Sequence, residues 1–220
     1  MKIVDTLAEQ ALLETLLEQS KPPLPPECRS LHYLLATPFR YGAPYPFGSR
    51  FRRAGQTPGV FYASRTPKTA VAETAFHRLL FYADSPATPW PVNAGEYTIF
   101  SVRYRTTHGL DLTRMPLVAD VARWTHRTEY EGCQALAESA RTARTEVLKY
   151  ASARDADGTN YAVLTCRAFA TPSPVERQTW RIHLGAHGVR AVCDHPEARL
   201  AFDRAAFVSD PRIAALAWDR

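Results

Sequence analysis

The chain has 220 residues, of which 45% are hydrophobic and 22% charged. That length favours one domain, or one domain with an appendage, and the apolar share supports a packed core, which excludes a mainly disordered chain. The formal charge of +5 favours acidic partners such as nucleic acid, a nucleotide or an acidic protein, with plain solubility as the other explanation.

No segment approaches the ~20 apolar residues that a membrane span needs. The first residues, MKIVDTLAEQALLETLLEQSK, carry interspersed acids and no apolar run of signal-peptide type. Cys28, Cys133, Cys166 and Cys193 are scattered, with no C-x-x-C and no histidine at ligand spacing. That pattern argues against a zinc site and predicts reduced, mostly buried thiols in a cytoplasmic protein.

Taken in order, Ile3, Val4, Leu7, Ala8, Ala11, Leu12, Thr15 and Leu16 recur at helical spacing. The helix they predict ends at Lys21-Pro22-Pro23-Leu24-Pro25-Pro26, which cannot continue one. Its apolar face is expected to pack on its own domain, with a second subunit as the alternative. Residues 1–26 therefore read as helix and linker, and 27–220 as the main domain. Leu31 to Leu35, leading into Thr37-Pro38-Phe39-Arg40-Tyr41, reads as a strand. Arg40 sits among apolar and aromatic neighbours, so it needs either a structural ion pair or a phosphate to fork onto.

The loop from Gly42 to Gly59 is long for a structureless connection and carries Arg50, Arg52 and Arg53. Val60 to Ala63 reads as a buried strand. Thr66 and Pro67 fit the cap and first position of a helix over Thr69 to Phe81, with Glu73 in its early turns. A lone glutamate there is either a surface residue favoured by the helix dipole or a reactive carboxylate. Ala83 to Gly95 is a connector and Glu96 to Tyr104 a strand. A short strand at Gly109 to Thr113 precedes helices at Leu117 to Trp124 and Thr128 to Ala143. Further strands fall at Val147 to Tyr150, Tyr161 to Cys166, Thr179 to Leu184 and Val189 to Cys193, and a last short helix at Pro211 to Trp218. Strands mixed with helices make the class α+β, with a mixed, mostly antiparallel sheet flanked by helices.

Several of these blocks together resemble the RES domain family, named for an Arg, a Glu and a Ser. The resemblance rests on Phe39-Arg40-Tyr41, and on Gly48-Ser49-Arg50-Phe51 where the family usually reads Gly-Gly-Arg-Trp. It continues in the Val60 to Ala63 strand, in Glu73 at the family's usual distance beyond Tyr62, and in Gly132-Cys133-Gln134-Ala135 and Tyr150-Ala151-Ser152-Ala153-Arg154. It runs from about Leu31 to about Leu164. The chain departs from the family at Phe51-Arg52, where Trp-Asn is common, and residues 1–26 lie outside the motif.

The resemblance implies a fold similar to ADP-ribosylating toxins and an enzyme that consumes NAD at the nicotinamide–ribose bond, as glycohydrolase, phosphorylase or ADP-ribosyltransferase. Carried over residue by residue, Arg40, with Tyr41 beside it, would grip the pyrophosphate or ribose and Arg50 would be a second anchor. Tyr62 would face the nicotinamide ring, Glu73 would be the catalytic carboxylate, and Ser152 is the candidate family serine. NAD would be the substrate and no metal is implied. The implied partner is an Xre-type antitoxin, through which any contact with nucleic acid would be indirect, and residues 1–26 would serve it, a homo-oligomer, or neither. No Gly-x-Gly-x-x-Gly follows a strand, so a dinucleotide would not be held in Rossmann fashion. Two other readings stay open. Arg50, Arg52, Arg53 and Arg65 near Tyr41, Tyr45 and Phe51 would suit a non-catalytic RNA or DNA surface. A degenerate family member would bind NAD or a partner without turnover.

Overall fold

In the computed structural model, which describes residues 4–41, 48–55 and 58–219, the strands sort into two four-stranded sheets. The chain starts with α1 (Leu7–Ser20), whose first turn closes on itself. The Thr6 hydroxyl accepts the Glu9 N–H while the Glu9 carboxylate accepts the Thr6 N–H. The expected packing of α1 on the core is not found. None of its residues is buried, and Leu7 is 85% exposed. Leu12, Leu13, Leu16 and Leu17 lie on one side of the helix, but Leu12, Leu16 and Leu17 are more than half exposed, so no core covers that side.

The second correction is α2 (Tyr33–Arg40), a helix where a strand was expected. His32 caps it by accepting the Leu34 N–H, and Leu35, Ala36 and Phe39 bury one face. Pro38 is tolerated because the helix ends within three residues, so it forfeits one hydrogen bond near a terminus. A short apolar run shows no period, which is why the sequence misleads here. Glycine is required at position 59, where an added Cβ would lie 1.9 Å from the Pro38 carbonyl oxygen. That close approach rests α2 on the segment entering β1 (Phe61–Ser64).

Next come α3 (Pro67–Asp84), β2 (Gly95–Phe100) and β3 (Gly109–Asp111). Helices α4 (Val121–Trp124) and α5 (Glu131–Thr142) precede β4 (Val147–Ala151) and β5 (Thr159–Val163). The chain finishes with β6 (Arg177–Gly185), β7 (Gly188–Cys193), β8 (Ala198–Asp203) and α6 (Pro211–Ala214). One sheet has the order β1-β5-β4-β3 and the other β2-β6-β7-β8. Only β3 and β4 run parallel, so the α+β, mostly antiparallel class holds, with the strands divided between two sheets. Strand β8 has no counterpart in the sequence reading.

Helix α3 is the hinge of the arrangement. Val71, Ala75, Phe76 and Leu79 pack on Trp180 and Ile182 of the second sheet and on Phe207, Ile213 and Trp218 of the C-terminal segment. Each large side chain so buried contributes about 1.5–3 kcal/mol. One face of the first sheet carries Leu148, Tyr150 and Ala162 against Phe51 and the Cys133, Ala137 and Ala140 stripe of α5. Its other face packs Phe61, Val147 and Val163 against Phe39, Cys28 and Cys166. Those two cysteines form a disulfide across 138 residues of sequence, so the expectation of four reduced thiols fails at this pair. Cys133 and Cys193 are free and buried, as expected. Spacing gave no sign of the bond, because only the fold brings together the segment before α2 and the segment after β5. Among the described residues no helix is long and apolar enough to cross a membrane.

Candidate active site

The site is built where the second turn of α3 meets the first sheet. Thr66 caps α3 by accepting the Thr69 N–H, and Pro67 takes the first helical position, as the sequence predicts. This start sets the helix phase that turns Glu73 towards β5 and the β4–β5 loop. Asn160 Nδ2 donates to Glu73 Oε1 at 2.6 Å and Ser152 Oγ donates to the same oxygen at 2.7 Å. The direction of the serine proton follows from its other contacts. Ser152 Oγ already accepts the N–H groups of Arg154 and Asp155, each at 3.1 Å, so its one hydrogen is left for the carboxylate. Among the described residues Glu73 Oε2 has no hydrogen-bond partner.

The loop that presents Ser152 is itself tied down. Asp155 accepts from the Thr69 hydroxyl at 2.8 Å and from Lys68 Nζ at 3.0 Å, which fastens the loop to the first turn of α3. Asn160 is fixed by register, opposite Ser64 on β1 and Tyr150 on β4. Its Oδ1 accepts the Ser64 hydroxyl at 2.6 Å, which points its amide nitrogen at Glu73.

Tyr62 lies two residues before Ser64 and so on the same face of the sheet. Its hydroxyl accepts the Phe51 N–H at 3.0 Å and shares a 2.8 Å hydrogen bond with Ser49. With the hydroxyl anchored and the residue 40% exposed, the ring is the part left to solvent. Burial raises the Tyr62 phenol, and the bonds from Ser49 and Phe51 together with the Arg50 charge only partly offset this. Burial also lifts Tyr150 well above the usual range, reinforced by Tyr62 and Glu73. Both phenols are therefore neutral at physiological pH.

The turn carrying Arg50 is pinned from three sides. Ser49 and Arg52 exchange backbone hydrogen bonds, and Gln134 Nε2 from α5 donates to both their carbonyls, at 3.0 and 3.1 Å. Phe51 is fully buried and meets Tyr150 edge to face at 4.8 Å. Arg50 Nη1 donates to the Trp124 and His126 carbonyls, and its guanidinium lies 4.8 Å from the Tyr130 ring centroid. Carbonyls and a ring hold the group without cancelling its charge, and among the described residues no carboxylate pairs with it.

Arg40 is placed differently. Its guanidinium donates to the Glu18 carboxylate and to the Pro22 carbonyl, and no described hydrogen bond joins it to Glu73, Tyr62 or Ser152. Tyr41 contributes its carbonyl, which accepts from Arg52 Nη2 at 2.6 Å. The structure thus brings Arg50, Tyr62, Glu73 and Ser152 together around Tyr150 and Asn160, and leaves Arg40 and Tyr41 at the end of α2. The basic run is also dispersed: Arg53 pairs with Glu138 and Arg52 is buried. Tyr45 lies outside the described residues, as do the rest of 42–47 and residues 56–57 of its loop. The sequence reading missed Asn160, Ser64 and the role of Gln134. Asn160 falls just before the expected Tyr161 to Cys166 strand, in a stretch whose Asp-Gly pair reads as a turn, and the strand in fact starts at Thr159.

A groove of about 690 Å³ follows the neighbouring edges of β1 and β2, lined in part by Phe61, Tyr62, Ser64, Arg65, Phe100 and Gln178. It is of small-molecule size and borders the site through Tyr62 and Ser64, while Glu73 does not line it. Among the described residues no group of histidine, cysteine, aspartate or glutamate is arranged to hold a metal. Compared with known families, residues 24–185 match the model described as RES domain. Comparison with curated proteins gives no match.

Proposed function

Because the chain belongs to the RES domain family, we propose that it is an enzyme that cleaves NAD at the nicotinamide–ribose bond. The observation that supports this best is the division of labour on Glu73: Oε1 held by Ser152 and Asn160, and Oε2 left for a ligand. The pyridinium nitrogen keeps the bonding pair and leaves as neutral nicotinamide, so the reaction needs little acid help. Positive charge grows on the ribose, and a fixed carboxylate beside it stabilises that charge at no reorganisation cost. An oxygen of water, phosphate or a protein side chain then bonds to the anomeric carbon and gives up its proton, to Glu73 or to solvent.

In this reading the exposed face of Tyr62 stacks on the nicotinamide ring and Arg50 grips the pyrophosphate with its uncancelled charge. Arg40 supplies a second anchor when Glu18 releases it, with Tyr41 beside it. The enzyme acts on cytoplasmic NAD and is restrained by an Xre-type antitoxin, which alone contacts nucleic acid. The division into residues 1–26 and 27–220 separates a segment for oligomer or antitoxin contact from the catalytic domain. Dispersal of the arginines at 50, 52 and 53 among separate partners gives the nucleic-acid reading no support.

Purified protein incubated with NAD is expected to release nicotinamide, followed by chromatography. Glu73→Gln should lower the rate at least about 100-fold, with its circular dichroism spectrum unchanged. Arg50→Ala should chiefly raise KM. Wild-type protein that leaves NAD intact, even with phosphate and cell extract supplied as acceptors, would contradict the proposal.

A further inference from the structure

The family match ends at residue 185, yet the segment beyond it reaches the Glu73 cluster. Phe207, Ile213, Leu216 and Trp218 anchor that segment in the core around α3. Between them Asp210, 2% exposed, faces Arg154, whose side chain is 6% exposed, across a 3.0 Å ion pair. Asp210 is held in turn by Arg212, which donates its backbone N–H and two guanidinium nitrogens at 2.9–3.0 Å. Arg212 also donates to the Arg127 carbonyl at 2.6 Å.

Arg154 is the link to the site. Its guanidinium carbon sits 3.7 Å from the centroid of Phe76, three residues beyond Glu73 on α3, so it is clamped between that ring and Asp210. Its backbone N–H is one of the two that Ser152 Oγ accepts, and these two bonds direct the serine proton onto Glu73. Among the described residues Nη1 of Arg154 is buried without a hydrogen-bond partner. Such a donor is a stability cost that an apolar residue of similar size would avoid. A buried cation that is kept despite that cost, and sits two residues from Ser152, is better explained by what it holds in place than by stability.

We infer that Asp210 is a positioning residue for the Glu73 site, acting through Arg154 to keep the Ser152 hydroxyl on the carboxylate. The inference rests on the NAD-cleaving reading for its effect on rate, but its structural content stands apart from that reading. Without Asp210 the Arg154 side chain loses the one ion-pair partner it has among the described residues, the loop turns, and Ser152 no longer donates to Glu73. Asp210 touches no substrate, so its loss acts on kcat and leaves KM in place.

The test is a cycle of Asp210→Asn and Ser152→Ala, read as nicotinamide release, with a crystal structure of Asp210→Asn. Asp210→Asn should lower kcat about tenfold in the wild-type background and less than about threefold in Ser152→Ala, because residues acting through one contact are not additive. KM should stay within about twofold. In the crystal the 2.7 Å contact between Ser152 Oγ and Glu73 should be lost. An equal loss of kcat in both backgrounds, or a retained contact, would overturn the inference. If Asp210→Asn does not fold, Arg154→Met replaces it, keeping the length and removing the charge that Asp210 holds, and the same outcomes apply. Silent wild-type protein would sink the catalytic reading alone, since the crystal contact still decides this one.

Discussion

At the scale of single residues, the site depends on how polar atoms are paired. Ser152 Oγ accepts two backbone N–H groups, so its proton has one destination, and Asn160 is oriented by Ser64 before it reaches the same carboxylate oxygen. The reactive arrangement is therefore set before any ligand arrives, which is how a site avoids reorganisation during the reaction. The phenols beneath it give a pH test. Burial raises both Tyr150 and Tyr62 above their unfolded value near 10. Above that pH the unfolded chain gives up protons that the folded protein keeps, so the slope of stability against pH turns negative there. Urea midpoints measured from pH 8 to 11 should stay level and then fall from about pH 10, and Tyr150→Phe should flatten the fall. A midpoint as steep in that variant as in wild type would assign the alkaline loss to other groups.

At the scale of elements, α1 and α2 decide how available Arg40 is. Helix α1 buries nothing, and the contacts of Glu18 and Pro22 with the Arg40 guanidinium tie the end of this segment to α2. The Glu18 side of this pair is exposed while the Arg40 side chain is largely covered, so the carboxylate can swing into solvent and a dinucleotide pyrophosphate can take its place on the arginine. Glu18→Gln should therefore lower KM for NAD about two- to fivefold without changing kcat, and the difference should shrink as salt rises. If KM is unmoved in both Glu18→Gln and Arg40→Ala, Arg40 is a structural residue of α2. The helices also mark what the sequence could convey. Thr66-Pro67 announced α3 and its phase, because cap chemistry is local. The run from Leu31 to Tyr41 did not announce α2, because its helical form depends on Gly59 letting the Pro38 backbone come close, a contact between distant segments.

At the scale of the whole molecule, the class and most strands were legible from alternation and turn residues, since these record which faces are buried. The sorting of strands into two sheets was not, nor was the disulfide between Cys28 and Cys166, because both depend on which segments meet. The same holds for the site. Arg50, Tyr62, Glu73 and Ser152 could be named from family blocks, whereas Asn160 and Asp210 acquire their roles only when β5 and the C-terminal segment are folded against α3. The central claim, that NAD is cleaved at Glu73, is tested most directly by the crystal structure with carba-NAD, an analogue whose nicotinamide bond does not break. Its ribose hydroxyl is expected within about 3.2 Å of Glu73 Oε2, with the nicotinamide ring on Tyr62 and the pyrophosphate at Arg50. An analogue bound with its ribose away from Glu73, for example wholly along the groove between β1 and β2, would contradict it.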